Sequence, residues 1–200
     1  MGHPPTPCLL GVTATGKSSV AAELARRSEG DVIACDAFSV YRGMSILTAS
    51  DDVPPDVPHH LVGVLEPSAS WSAAAFVEAC DERVTALRER DRTPWIVGGT
   101  ALYLRSWLKG LGAPGPRDPA FREALRRRVA EHGPQQLHAE LRAADPERAA
   151  DLHANDVRRV VRALEIMRAT GRKASELRGE WDRPDRRPAR LYGLRRAGPD

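Results

Sequence analysis

The chain has 200 residues, a formal net charge of +3, 42% hydrophobic and 28% charged residues. That is enough for one substantial core with a smaller appendage, in an ordinary globular composition. No apolar run approaches the roughly 20 residues of a membrane span and the N-terminus lacks the apolar stretch of a secretory signal, so no membrane partner is expected. Cys8, Cys35 and Cys80 form an odd set without metal-ligand spacing, inside apolar segments, and point to small buried residues in a reducing, cytoplasmic setting.

The first element along the chain is the most informative. Cys8-Leu9-Leu10 runs into Gly11-Val12-Thr13-Ala14-Thr15-Gly16-Lys17-Ser18, and Val20, Ala21, Leu24 and Ala25 follow with helical spacing. An apolar strand, Gly-x-x-x-x-Gly-Lys-Ser and a helix start are together the setting of a P-loop. Gly11 and Gly16 let the backbone curl so that successive amides converge on one anion. The helix adds its unpaired N-terminal amides and the positive end of its dipole. Gly11, Thr13, Ala14, Thr15, Gly16, Lys17, Ser18 and Ser19 are thus the candidates for holding a di- or triphosphate. Lys17 supplies a mobile charge, and Ser18 is the expected Mg²⁺ ligand.

Asp31 to Cys35 is a β-rich run ending at Asp36. Ligands of open parallel sheets sit beyond the carboxyl ends of strands, which puts Asp36 near the phosphate loop unless it caps a helix. Residues 51–58 read as an exposed loop, and 59–65 as a short strand in which His59 and His60 point to opposite faces and cannot share a metal. Residues 72–90 have helical spacing behind a Ser72 cap. Residues 93–100 form a buried strand ending in Gly98-Gly99-Thr100, with the glycines allowing close approach to a ligand, and 101–108 continue as helix. This alternation predicts a doubly wound parallel α/β core. Residues 110–116 break the composition as a hinge, and 118–150 read as two or three amphipathic helices. A further helix starts behind Asn155 or Asp156, with Arg159 and Arg162 on one face as surface charge or as a diphosphate clamp. Residues 179–190 read as a loop and 191–194 as the start of a strand. Residues 1–116 carry ten Lys and Arg against thirteen Asp and Glu, whereas 117–200 carry twenty against fourteen. The basic half is either a solvated helical surface or a nucleic-acid footprint.

Taken in order, Gly11–Ser18, Asp36 with Val40-Tyr41-Arg42-Gly43-Met44, Thr48-Ala49 and Pro58-His59-His60-Leu61 resemble the tRNA dimethylallyltransferase (tRNA isopentenyltransferase) family. So do Gly98-Gly99-Thr100 with Leu102-Tyr103, Asn155-Asp156 with Arg159 and Arg162-Ala163-Leu164-Glu165, and Gly171 with Ser175-Glu176-Leu177. The resemblance implies transfer of a dimethylallyl group from dimethylallyl diphosphate to N6 of the adenosine 3′ of a tRNA anticodon, with the P-loop and Mg²⁺ on the diphosphate. It makes Asp36 the base and Lys17 and Thr100 further catalytic residues. Arg159 and Arg162 then join the diphosphate set, while Asp36, Ala37, Phe38, Ser39, Thr100 and Arg122 contact tRNA. It further implies a monomer.

The chain departs from the family's usual pattern at Val12 (Pro), Ala37 (Ser), Ala101 (often Gly) and Leu47-Thr48-Ala49-Ser50 (Gly-Thr-Ala-Lys). Family members extend beyond the point where this sequence stops, so the chain is expected to be truncated. The expected organisation is a P-loop NTPase-like doubly wound parallel α/β core over 1–113, a helical tRNA-binding insertion over 114–153, and a return to the core over 154–200. The competing readings are an adenylate isopentenyltransferase of cytokinin synthesis, a small-molecule kinase with ATP in the loop, and a non-catalytic RNA-binding remnant.

Overall fold

The computed structural model describes residues 3–43, 54–110, 118–177 and 184–195. The motif segments at Met44 and Leu47–Ser50, the loop residues 51–53 and 179–183, and the hinge after Gly110 lie outside the described residues. The chain divides into two compact units, Met1–Leu111 with Asp185–Asp200, and Gly112–Pro184.

The first unit holds β1 (Thr6–Leu10), α1 (Lys17–Arg27), β2 (Gly30–Cys35), β3 (His59–His60), α2 (Ala73–Arg88), β4 (Thr93–Gly98), α3 (Ala101–Lys109) and β5 (Ala189–Gly193). All five strands are parallel, in the order β3-β2-β4-β1-β5. Alternation along the strands feeds two cores. Cys8, Ile33, Cys35 and Ile96 pack with Phe76, Leu104 and Trp107 from α2 and α3. Leu9, Val32, Trp95 and Val97 pack with Ala21, Ala22 and Ala25 of α1. A sheet buried on both sides reads as continuous apolar runs, as these strands do. The three cysteines are buried free thiols. Burial pushes Cys8 and Cys35 up to about 12 and Cys80 well above its ordinary value.

Ser72 caps α2 by accepting from the Ala75 amide at 3.2 Å. The strand expected over 59–65 stops at His60, because Leu61 turns into the left-handed region with φ of 62°. Asp31, 4% exposed, accepts from Arg92 Nε at 2.5 Å and bonds His60 Nε2 at 2.8 Å, tying the starts of β2, β3 and β4 together. β5 runs beside β1, and the Leu194 amide after it donates to the Leu10 carbonyl at 2.7 Å.

The second unit holds α4 (Pro119–His132), α5 (Pro134–Ala144), α6 (Pro146–Ala150) and α7 (Val157–Thr170). α4, α5 and α6 each have Pro in the first turn, where its missing amide costs nothing. Asp118 and Asp156 cap α4 and α7 through the amides of Phe121 and Arg159. The return to the core expected at 154 does not occur with α7. Val160, Val161, Ala163 and Leu164 are buried with Leu125, Leu137 and Leu141 of α4 and α5. Each such Val or Leu side chain contributes about 1.5–3 kcal/mol on burial, and the stripe on α7 is what closes this helical core. The chain re-enters the α/β unit only at Asp185. Among the described residues no helix is long and apolar enough to cross a membrane.

Candidate functional site

β1 ends at Leu10, the loop 11–16 follows, and α1 begins at Lys17. Ala14 (φ 64°) and Gly16 (φ 84°) both take the left-handed conformation that closes the loop. Gly11 contributes differently, since a Cβ there would stand 2.6 Å from the Leu194 carbonyl oxygen. Its role is to let the segment after β5 approach the loop. Thr15 Oγ1 donates to the Val12 carbonyl at 2.9 Å, and Lys17 Nζ donates to the same oxygen at 2.5 Å. Partial burial lowers the Lys17 ammonium from its ordinary value, while the nearby Asp36 carboxylate pulls it upward.

A pocket of about 290 Å³ opens at the carboxyl ends of β2 and β4, beside the first turns of α1. Thr13, Ala14, Gly16, Lys17, Ser18 and Ser19 form one wall, and Asp36, Ser39, His59 and Val62 form another. Gly98 and Gly99 line the pocket as well, but Gly98 answers first to the sheet. A Cβ on it would meet the Cys35 carbonyl oxygen at 2.1 Å.

Asp36 caps a turn rather than a helix: Oδ1 accepts from the amides of Phe38 at 2.8 Å and Ser39 at 3.1 Å. This fixes the carboxylate in place on the pocket wall. Thr100 Oγ1 accepts from the Ala37 amide at 3.2 Å, and the Thr100 amide donates to the Cys35 carbonyl at 3.3 Å. Thr100 thus anchors the segment that carries Asp36. Phe38 is 65% exposed. Ser39 is 9% exposed, and its hydroxyl has no protein partner among the described residues. Buried hydroxyls are normally satisfied, and Ser39 lines the pocket.

His59 has a place in this wall that sequence reasoning missed. Its signal was the alternation with His60: one ring goes to Asp31, and the other lines the pocket. His59 Nδ1 is 2.7 Å from the Val57 carbonyl, which makes Nδ1 the protonated nitrogen. Burial lowers its pKa, against the raising effect of the Val57 carbonyl.

The remaining predicted residues belong to the helical unit. Arg159 is exposed and pairs loosely with Asp156 at 3.4 Å. Arg122 bonds both oxygens of Glu165, through Nε at 2.7 Å and an Nη at 2.6 Å, and Arg162 adds a short ion pair. The expected pairing of Arg159 with Arg162 is therefore replaced by Arg122 with Arg162 on one carboxylate. Burial alone would raise the Glu165 carboxyl, but Arg122, the Asp118 amide and Arg162 outweigh it and hold the pKa down at about 2.

A larger hollow of about 360 Å³, lined by Pro4, Arg88, Trp95, Arg190 and Tyr192 among others, lies at the amino ends of the strands. It gathers none of the predicted residues, and ligands of such sheets bind at the other end.

The family model described as IPP transferase matches residues 39–198. The tRNA dimethylallyltransferase of Bacillus pumilus is 41% identical over 176 residues, which are 86% of this chain and 55% of that protein. The full-length tRNA isopentenylpyrophosphate transferase of Bacillus halodurans is 39% identical with a TM-score of 0.54, covering 84% of this chain and 57% of that one. A eukaryotic dimethylallyltransferase, solved in crystallographic snapshots acting on tRNA, reaches a TM-score of 0.81 at 27% identity, over 96% of this chain and 48% of that one. The chain spans about half the length of the relatives it matches. With a parallel sheet, a phosphate loop and a carboxylate beyond β2 in one pocket, and with these matches, the chain belongs to the IPP transferase family.

Proposed function

We propose that the protein transfers a dimethylallyl group from dimethylallyl diphosphate to N6 of the adenosine next to the anticodon in tRNA. The support is one observation: a phosphate loop and a fixed carboxylate face each other across one small pocket, in a chain of the IPP transferase family. Relatives named for dimethylallyl transfer to tRNA point to the same acceptor.

The diphosphate lies against the loop amides and the first turn of α1, with Lys17 on its oxygens. The adenosine is extruded from its stack so that the amine can enter. Phe38 offers a ring for stacking and the Ser39 hydroxyl a hydrogen bond. The N6 nitrogen attacks C1 of the prenyl group, the C1–O bond breaks, and diphosphate leaves with the bonding pair. Asp36 takes the N6 proton, and Thr100 holds the segment that aims it. Charge builds on the leaving diphosphate, where the fixed amides and Lys17 stabilise it. The oxygen donors on hand, Ser18 Oγ and the substrate's own diphosphate, suit Mg²⁺, which takes few protein ligands and keeps several waters. Bound there, Mg²⁺ would supply further charge for the departing group. In the helical unit, the N–H groups of Arg122 left over by Glu165 are assigned to a tRNA phosphate.

The test is transfer from radiolabelled dimethylallyl diphosphate, with an adenosine-bearing anticodon stem-loop and AMP offered together. Label is expected in the stem-loop. Label in AMP alone, or in neither, overturns the proposal.

A further inference from the structure

Two side-chain hydrogen bonds of the phosphate loop end on one atom. Thr15 Oγ1 donates to the Val12 carbonyl oxygen at 2.9 Å, and Lys17 Nζ reaches the same oxygen at 2.5 Å. A carbonyl oxygen has two lone pairs and accepts both donors. The two side chains also lie together along the glycine that opens the loop. A Cβ placed on Gly11 would stand 3.0 Å from Thr15 Oγ1 and 3.3 Å from Lys17 Cδ. Thr15 is half-buried in this arrangement, while Val12, Thr13 and Ala14 beside it are exposed.

The contact does not use up the lysine. An ammonium has three N–H groups, so two remain for phosphate oxygens while one rests on the loop. What the contact decides is where the charge stands. Lysine is a compact charge on a flexible four-carbon stem, and the Asp36 carboxylate attracts the same ammonium from another wall of the pocket. We infer that Thr15 is a positioning residue for Lys17: by holding the Val12 carbonyl, its hydroxyl fixes the seat from which the ammonium meets the diphosphate. This rests on the reading of the loop as a diphosphate site. β-branching makes threonine stiff about χ1, so the hydroxyl has a defined direction. A carbonyl held only by a mobile lysine would turn with it, whereas one tied to its own loop keeps its place. The ammonium is then aligned before the ligand arrives, and less freedom is lost on binding.

The experiment is calorimetric binding of inorganic diphosphate to the whole chain and to single and paired variants. Thr15→Val keeps the shape and removes the donor, and should weaken binding about three- to tenfold, the worth of one hydrogen bond. Thr15→Ser keeps the donor and should bind within about twofold of the wild type. Thr15→Ala, which also lacks the hydroxyl, replaces Thr15→Val should that variant not fold. The decisive arm is the pair with Lys17→Met. Because Thr15 acts through the lysine, losing its hydroxyl should weaken binding by less than about twofold once Lys17 is gone. An equal loss in both backgrounds makes Thr15 a structural loop residue and overturns the inference, as does unchanged affinity in Thr15→Val. Both of those outcomes leave the loop a diphosphate site. A wild type that does not bind diphosphate overturns the diphosphate reading and the inference with it.

Discussion

The two units handle charge in opposite ways. In the α/β unit the chemistry-bearing groups sit at the ends of strands and on the first turn of a helix, partly exposed and mostly engaged with backbone. Asp36 is held by two amides, Lys17 by a carbonyl, and the Ser39 hydroxyl by nothing among the described residues. In the helical unit the central carboxylate is 1% exposed and is saturated by Arg122, Arg162 and the Asp118 amide. The groups that line the pocket are oriented by backbone and left with capacity to spare. Groups that hold helices together direct most of their hydrogen bonds at each other.

The largest expected effect tests the saturated side. Glu165→Ala strands two guanidiniums against a helical core and should cost about 3–5 kcal/mol; calorimetry showing less than about 1 kcal/mol would undo the contrast. The same carboxylate gives a pH signature. Its folded pKa, near 2, lies below the ordinary 4.5. Its stabilisation is therefore complete above about pH 4.5 and is lost as the pH falls towards 2, on the order of 3 kcal/mol in all. Acid unfolding of Glu165→Gln should lack that component.

Next in size is Asp36→Asn, which retains an oxygen for the Phe38 and Ser39 amides but removes the carboxylate proposed as the base. Prenyl transfer should fall about 100-fold or more with thermal stability intact. A smaller response is expected from salt. The one arginine–phosphate contact proposed for tRNA, at Arg122, predicts that log affinity for the stem-loop falls with log salt at a slope of about −0.7 to −0.9, and a flat response would leave Arg122 a structural charge only. Smallest is Ser72→Ala, which removes one cap bond from α2 and should lower stability by about 1 kcal/mol, visible in denaturant midpoints.

Much of the α/β unit was legible because its signals are local. The P-loop is contiguous, the apolar runs ending at Asp36 and Gly98 mark strand ends, and Ser72 announces α2. What escaped depends on partners far along the chain. The apolar stripe on α7 says that one face is buried but not against which helices, so its membership of the second unit was invisible. Gly11 and Gly98 looked like ligand-facing glycines, yet the atoms that require them, the carbonyls of Leu194 and Cys35, lie 183 and 63 residues away. His59 could be separated from His60 by alternation, but its place in the pocket follows from the pairing of β3 with β2, which no local pattern encodes.

All three cysteines lie in the α/β unit, buried and raised far above the pH at which thiols react, while the helical unit has none. A thiol reagent added to the native protein therefore modifies it only when that unit opens. The labelling rate becomes a clock for one half of the molecule, running in the presence of the other. Slower labelling on adding a diphosphate ligand would report how much binding at the loop tightens the sheet beneath it.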